Sequence, residues 1–305
     1  MKIAILPAYI FVAFLLLTGC TGGGGDPVTF KFNMAQGSKF SYSVVTDVNM
    51  NQSVMGKDMK LASKIITAYT FEVTADNAGF KTVKATISKI AMKIDANGMA
   101  MNIDSDLPTT DTTGPMAKVG KVFAGIKGGE FYFTINENGD VSKVTGMDEM
   151  IEKTLPGVAA EDTAFAKQTL AQAFNDHSFK DNLQHSFAVY PGKPVKPGES
   201  WTKTYTMDIS NTPMKVDNTF TLESVTGNVA KIKVVSKLSL GGALPAPGMQ
   251  MDITGDIKGI NNFDLQSGMP LDGDNTVEIN AKMKMQGQEI PMKITEKINT
   301  EGKKL

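Results

Sequence analysis

Few side chains in this 305-residue chain can do chemistry beyond hydrogen bonding, and their spacing is the first thing to test. His177 and His185, the only histidines, lie eight residues apart and can share one helix face. A zinc site would need one or two further ligands, and no His-Glu-x-x-His accompanies them, so they read as helix-surface or helix-terminal residues. Ser200, in Gly198-Glu199-Ser200-Trp201, lacks the second glycine of a nucleophile elbow. The run from Gly114 to Val122 is one residue too long for a phosphate loop, and Val122 replaces the metal-binding hydroxyl. Asp272-Gly273-Asp274-Asn275 has the acids of a calcium loop without its ligand spacing and reads as a turn. Asp104 and Asp106 flank the start of a loop. Catalysis needs a nucleophile and a base in reach. No such pair emerges, so the chain reads as a non-enzyme with no catalytic residue, no metal and no cofactor.

Methionine is the compositional oddity. Of 19 methionines, several alternate with other residues: Met99 and Met101, Met249 and Met251, Met283 and Met285. A period of two places each pair on one face of its strand. The first reading is adaptable core filling. The second is the lining of a deformable cavity for a lipid or other apolar ligand, which makes Met99, Met101, Met283 and Met285 the candidate ligand-binding residues. Thioether binding of copper(I) is the third, and it lacks a histidine or cysteine helper.

The only cysteine, Cys20, ends an apolar run from Ile3 to Leu17 that follows Lys2 and is interrupted by Pro7. At about fifteen residues the run is shorter than the roughly 20 that a spanning helix needs, and it reads as a signal peptide over residues 1–19. Leu17-Thr18-Gly19-Cys20 resembles the bacterial lipobox. The resemblance implies lipidation of the Cys20 sulfur, cleavage before it and acylation of the new amino terminus, with chains such as palmitate. Several acyl chains anchor stably, each buried methylene contributing about 0.8 kcal/mol. Gly22–Gly25 then form a flexible tether, closed by Asp26-Pro27. Thr21 is not aspartate, so by the same resemblance the destination is the outer membrane, and the periplasmic face is favoured.

With Cys20 lipidated no thiol remains, so neither a disulfide nor a thiolate metal site stabilises the fold. All 31 basic residues are lysine, against 32 acids, for a net charge of −1. The absence of arginine removes the bidentate fork for phosphate, and nucleic acid is not an expected partner.

Residues 28–103 alternate with period two, as in Phe40-Ser-Tyr42-Ser-Val44 and Val83-Lys-Ala85-Thr-Ile87. Hairpin turns are expected at Asp76–Gly79, Asp95–Gly98 and Asn136–Gly139. Leu107–Pro115 reads as a loop. Helical spacing then governs 147–188, with a break at Pro156-Gly157. Its faces are Met147/Met150/Ile151/Leu155, Ala166/Leu170/Ala173/Phe174 and Phe179/Leu183/Phe187. Alternation resumes from Trp201 to Lys297. The two β segments align without gaps, Gly37–Val48 on Gly198–Ile209, and Thr70–Val73 matches Thr219–Leu222. This reads as a duplicated β unit.

Phe32–Gly37, Tyr69–Val73, Val144–Ile151 and above all the Tyr190-Pro-Gly to Gly198-x-x-Trp201 segment resemble an uncharacterised bacterial lipoprotein family, domain of unknown function 6263. The resemblance extends over nearly all of the chain after Cys20. It implies an envelope location and a β-plus-helices layout, with no activity or catalytic residues to carry over.

The expected fold is mainly β (α+β): two related curved antiparallel β units with a helical block between them. Its specific form is an open half-barrel with helices across the concave face, resembling periplasmic lipoprotein carriers. The segments are signal peptide 1–19, lipidated cysteine and tether 20–27, first β unit 28–145, helical block 146–190 and second β unit 191–305. The expected function is a lipid-anchored envelope protein that binds a hydrophobic ligand or lipid. The alternative is a structural or assembly component contacting another envelope protein. Labelled palmitate should enter the wild-type chain in a bacterial host, and Cys20→Ser should lose the label and leave the membrane fraction. Equal labelling of the variant would refute the lipobox.

Overall fold

The computed structural model describes residues 25–305 except short segments at 55–56, 97–98, 108–114, 160–161, 210–211, 244–248 and 286–287. Residues 1–24, which include Cys20, the stretch read as a signal peptide and the first glycines of the expected tether, lie outside the described residues. The strands are β1 (Lys39–Val54), β2 (Lys57–Asn77), β3 (Phe80–Ala96), β4 (Met99–Asp104), β5 (Glu130–Asn136) and β6 (Val141–Thr145), then β7 (Ser200–Ile209), β8 (Thr212–Thr226), β9 (Val229–Ala243), β10 (Met249–Asp264), β11 (Pro270–Met285) and β12 (Gln288–Lys304). The helices are α1 (Pro115–Gly125), α2 (Met147–Thr154), α3 (Thr163–Ala173) and α4 (Asp176–Phe187).

All twelve strands form one antiparallel sheet, in the order β6-β5-β3-β2-β1-β12-β11-β10-β9-β8-β7, with β4 added to β3. The two expected β units are therefore the halves of a single sheet. They join where the first strand pairs with the last, from Phe40↔Lys304 to Gln52↔Met292. The alternation fixes which face is inward: Phe40, Phe71, Val73, Val83, Ala85 and Ile87 are buried and share one side through the register.

The expected hairpins form. Asn77 pairs with Phe80 across Ala78 and Gly79, both at positive φ (50° and 85°), the conformation of a type I′ turn that matches strand twist. At the expected Asp95–Gly98 turn, Ala96 of β3 pairs with Met99 of β4, and Asn97 and Gly98 lie outside the described residues. The helical block follows its spacing too. α2 gives way to a short 3-10 turn at Leu155–Gly157, and Met147, Met150, Ile151, Ala166, Leu170, Phe174 and Phe187 are buried. α1 was not expected. It starts at the end of the Thr- and Asp-rich stretch read as a loop, and it buries Val122 where a phosphate loop would expose its metal ligand.

The aligned halves carry the same backbone bonds. Gly37 N–H donates to the Val73 carbonyl at 2.8 Å, and Gly198 N–H to the Leu222 carbonyl at 2.7 Å. Val73 N–H returns to Ser38 at 3.2 Å, as Leu222 N–H does to Glu199 at 3.0 Å. Phe40 pairs with Phe71 as Trp201 pairs with Phe220. Register then shifts between Val73 and Ala75, and between Leu222 and Ser224.

How tightly the sheet curls follows from one helix. Ten inter-strand steps separate edge strands β6 and β7, a span of roughly 48 Å if flat, at about 4.8 Å per step. The 12-residue α4 is only about 18 Å long, yet neighbouring residues reach both edges. The Gln184 side chain accepts from Val141 N–H of β6 at 2.8 Å and donates to the Gly139 carbonyl at 3.2 Å. The His185 ring stacks on Tyr205 of β7 at 3.9 Å between centroids. Among the described residues the edges do not pair with each other; α4 stands between them and occupies one β6 edge donor, the Val141 N–H, of the kind that would otherwise invite a foreign strand.

The Tyr190–Trp201 segment fastens this block to the sheet. Tyr190, fully buried, donates its hydroxyl to the Gly268 carbonyl at 2.9 Å, in the turn between β10 and β11. Trp201 donates its indole N–H to the Val189 carbonyl at 2.8 Å. Phe30, Phe32 and Met34 thread the same end as a buried strap, with Phe32 N–H bonded to Glu137 and Asn33 N–H to Ser267. Gly139, at φ 83°, fits because a Cβ there would overlap the Phe187 carbonyl oxygen. Tyr190→Phe leaves the Gly268 carbonyl without its buried donor and should lower the unfolding free energy by about 1–3 kcal/mol. Gly139→Ala should cost more, through both strain and overlap. Urea unfolding of the two variants checks this, and midpoints equal to wild type would contradict it.

Candidate functional site

A cavity of about 500 Å³ lies between α4 and the centre of the curled sheet. Its floor is built by the inward positions of three adjoining strands: Tyr42, Val44 and Thr46 of β1, Thr67, Tyr69 and Phe71 of β2, Ile298 and Thr300 of β12. Its roof is the face of α4 with Phe179, Leu183 and Phe187, spaced to lie together on one side of a helix. Phe131 of β5 and Phe263 of β10 close the sides. Those two strands are six steps apart in the sheet, roughly 29 Å if flat, so the cavity exists because the sheet curls.

Aromatic packing holds the walls in place. Tyr69 stacks on Phe71 at 5.8 Å, and Phe131 meets Phe179 edge-on at 5.2 Å. Tyr42 lies against Phe71 at 6.1 Å. Burial pushes the Tyr42 phenol up to about 12, against a smaller opposing effect of its hydrogen bond with Thr300. The Tyr69 phenol is likewise pushed up to about 12 by burial, with Tyr42 adding to the shift. Both stay neutral at physiological pH. The remaining polar groups are the Thr46, Thr67 and Thr300 hydroxyls, Asn182 and Ser186, and no charged side chain is among the described lining residues. An apolar enclosure with a few neutral donors and acceptors suits an uncharged or hydrocarbon group. Sites for small molecules have volumes of about 300–1,000 Å³.

Of the methionine candidates, Met101 and Met283 take inward register positions elsewhere in the sheet. Met283 pairs with Met251 of β10 and Ile290 of β12, and Met285 with Met249. Met101 pairs with Ile94 and Met99 with Ala96. The two sets are five strand steps apart and toward the end of the strands opposite the cavity. Met269 is the one methionine among the described lining residues. Met101 and Met283 are half-buried, while the side chains of Met99 and Met285 lie outside the described residues.

The other sequence candidates have structural partners. His177 faces Asp181 at 3.3 Å on an exposed surface. His185 is half-buried against Tyr205, and burial lowers its pKa despite the nearby Asp181. The Ser200 hydroxyl bonds Thr221 at 2.8 Å. Asp106 is ion-paired with Lys89 and Lys127, and Asp272 accepts from Asn262. Among the described residues no three histidines, cysteines or acids cluster as a metal site, and no helix is long and apolar enough to cross a membrane.

Sequence reasoning missed one inward acid. Glu296 of β12 stands opposite Val48 and Val277, one inward position from Ile298 of the cavity floor. The signal was present: in Ile290–Thr300 the inward parity reads Ile, Met, Ile, Glu, Ile, Thr.

A family model described as "Family of unknown function (DUF6263)" matches residues 78–270, more than half of the chain. The chain belongs to this family. The match runs from the β2–β3 turn to the start of β11, narrower than the resemblance read from sequence. It includes the helical block and the Tyr190–Trp201 fastening but neither β1 nor β12. A comparison with curated proteins finds no match. Among solved structures, the translocator domain of autotransporter NalP from Neisseria meningitidis aligns at 5% identity, covering 87% of this chain and 88% of that one, with a TM-score of 0.21. Pseudomonas aeruginosa OpdQ aligns at 9% identity, covering 88% and 99%, also at 0.21. Scores this low carry no argument about the DUF6263 chain.

Burial raises the Glu296 carboxyl above its ordinary value of 4.5. An acid with a raised folded pKa contributes stability that is fully present below the unfolded value and is lost as pH rises through the folded one. Glu296→Gln removes that loss. Its melting temperature should match wild type near pH 4 and exceed it increasingly toward pH 8; thermal scans across that range check this, and parallel curves would contradict it.

Proposed function

We propose that this is a lipid-anchored, non-enzymatic protein of the bacterial cell envelope that holds a hydrophobic ligand between α4 and the curled sheet. The observation that carries the reading is the cavity of about 500 Å³, walled by aromatic and aliphatic side chains and free of charge among its described lining. Burying apolar area contributes about 25 cal/mol per Å², so an acyl or similar chain gains most in such a place. The half-buried Met50, Met92, Met251 and Met292 extend the apolar inner face away from the cavity, and their flexible thioethers adapt to varied shapes. Cys20, by its lipobox, would hold the body at the outer membrane on the periplasmic side, with the glycine tether setting its reach.

Native mass spectrometry of the full chain purified from membranes should find a bound apolar species of small-molecule mass. Leu183→Trp, which fills the roof of the cavity, should reduce the bound fraction several-fold while the protein stays folded. A spectrum of bare protein, or a bound fraction unmoved by Leu183→Trp, would contradict the ligand reading. Capture of one dominant envelope protein instead would support a structural or assembly role.

A further inference from the structure

Just beyond the cavity, the inner face carries very little charge. From the Thr46–Ile298 level to the Gln52–Met292 level, across all the strands that register together, Glu296 is the only acid among the described residues. The only basic side chain there among the described residues is Lys203, on edge strand β7, five strand steps away in the same register row. Glu296 is half-buried among Val48, Val277, Ile294 and Ile298, and it has no hydrogen-bond or ion-pair partner among the described residues. A carboxylate taken from water without a partner is costly, whereas a cation against it restores the balance. Its place is also specific. Thr46 and Ile298, the last floor residues of the cavity, are two positions along the strands, about 7 Å away.

Building on the ligand reading, we propose that the occupant is an amphiphile with a protonated amine in its head: the tail fills the cavity under α4 and the amine is held by the Glu296 carboxylate. The hydrocarbon then meets Tyr69, Phe71 and Leu183, and the head lies where the lining changes from neutral to acidic. An anionic head in that position would face a like charge, so fatty acids and other carboxylates are disfavoured. Glu296 acts here as a specificity determinant.

The test offers the full-length protein, in a non-ionic detergent, an equimolar mixture of dodecylamine, dodecan-1-ol and dodecanoate, with bound fractions read by native mass spectrometry. Wild type should carry dodecylamine over dodecan-1-ol by roughly tenfold, the scale of one charge-assisted hydrogen bond, with dodecanoate weakest. Glu296→Gln should bring amine and alcohol to parity in the same mixture. If wild type binds alcohol and amine equally, or the variant keeps the preference, the amine assignment is overturned and the hydrophobic-ligand reading stands. If neither neutral nor charged amphiphile binds, both are overturned.

Discussion

The constraint on which the rest depends is the closure of a wide open sheet by one short helix. An eleven-strand path leaves edges far apart unless it curls, and α4 fixes the curl by touching β6 through Gln184 and β7 through His185. Everything of functional interest follows from that distance. The curl brings Phe131 and Phe263 to opposite sides of one cavity, and α4 presents Phe179, Leu183 and Phe187 to it as a roof. The helix in turn is held by the fastening that follows it, Tyr190 to Gly268 and Trp201 to Val189. The segment that looked most specific in the sequence is therefore part of the fold's clasp.

Much of this architecture is legible from local pattern. Period-two alternation gives strands, Asn-Gly and Ala-Gly pairs give their hairpins, and the 147–188 spacing gives three helices with their buried faces. The repeated glycine–aromatic order of Gly37–Phe40 and Gly198–Trp201 corresponds to repeated backbone bonds, because the glycines at φ 79° and 89° start both segments in the same way. What was not legible is nonlocal. The pairing of β1 with β12 joins residues more than 230 positions apart, and no local pattern encodes it. α1 was hidden because Gly120 and Gly125 imitate loop chemistry inside a helix.

The site was legible in kind but not in position. Met101 and Met283 sit at inward register positions and are half-buried, yet facing inward is not the same as facing the cavity. Distance along a strand decides that, and α4 covers only one end. The cavity walls are tyrosine, phenylalanine and threonine, residue types that composition treats as ordinary core. Glu296 was overlooked for the opposite reason: among 32 acids a single glutamate stands out only when its inward parity is counted against apolar neighbours.

On the proposed reading, the space beneath α4 is occupied in the cell by a small apolar molecule. Placing a photoreactive benzoylphenylalanine at Leu183 and irradiating living cells tests this, because Leu183 lines the roof of the cavity. The expected result is an adduct that adds the mass of a lipid-sized molecule to the intact protein. Adducts confined to the protein's own β1, β2 or β12, or to another protein, would contradict it.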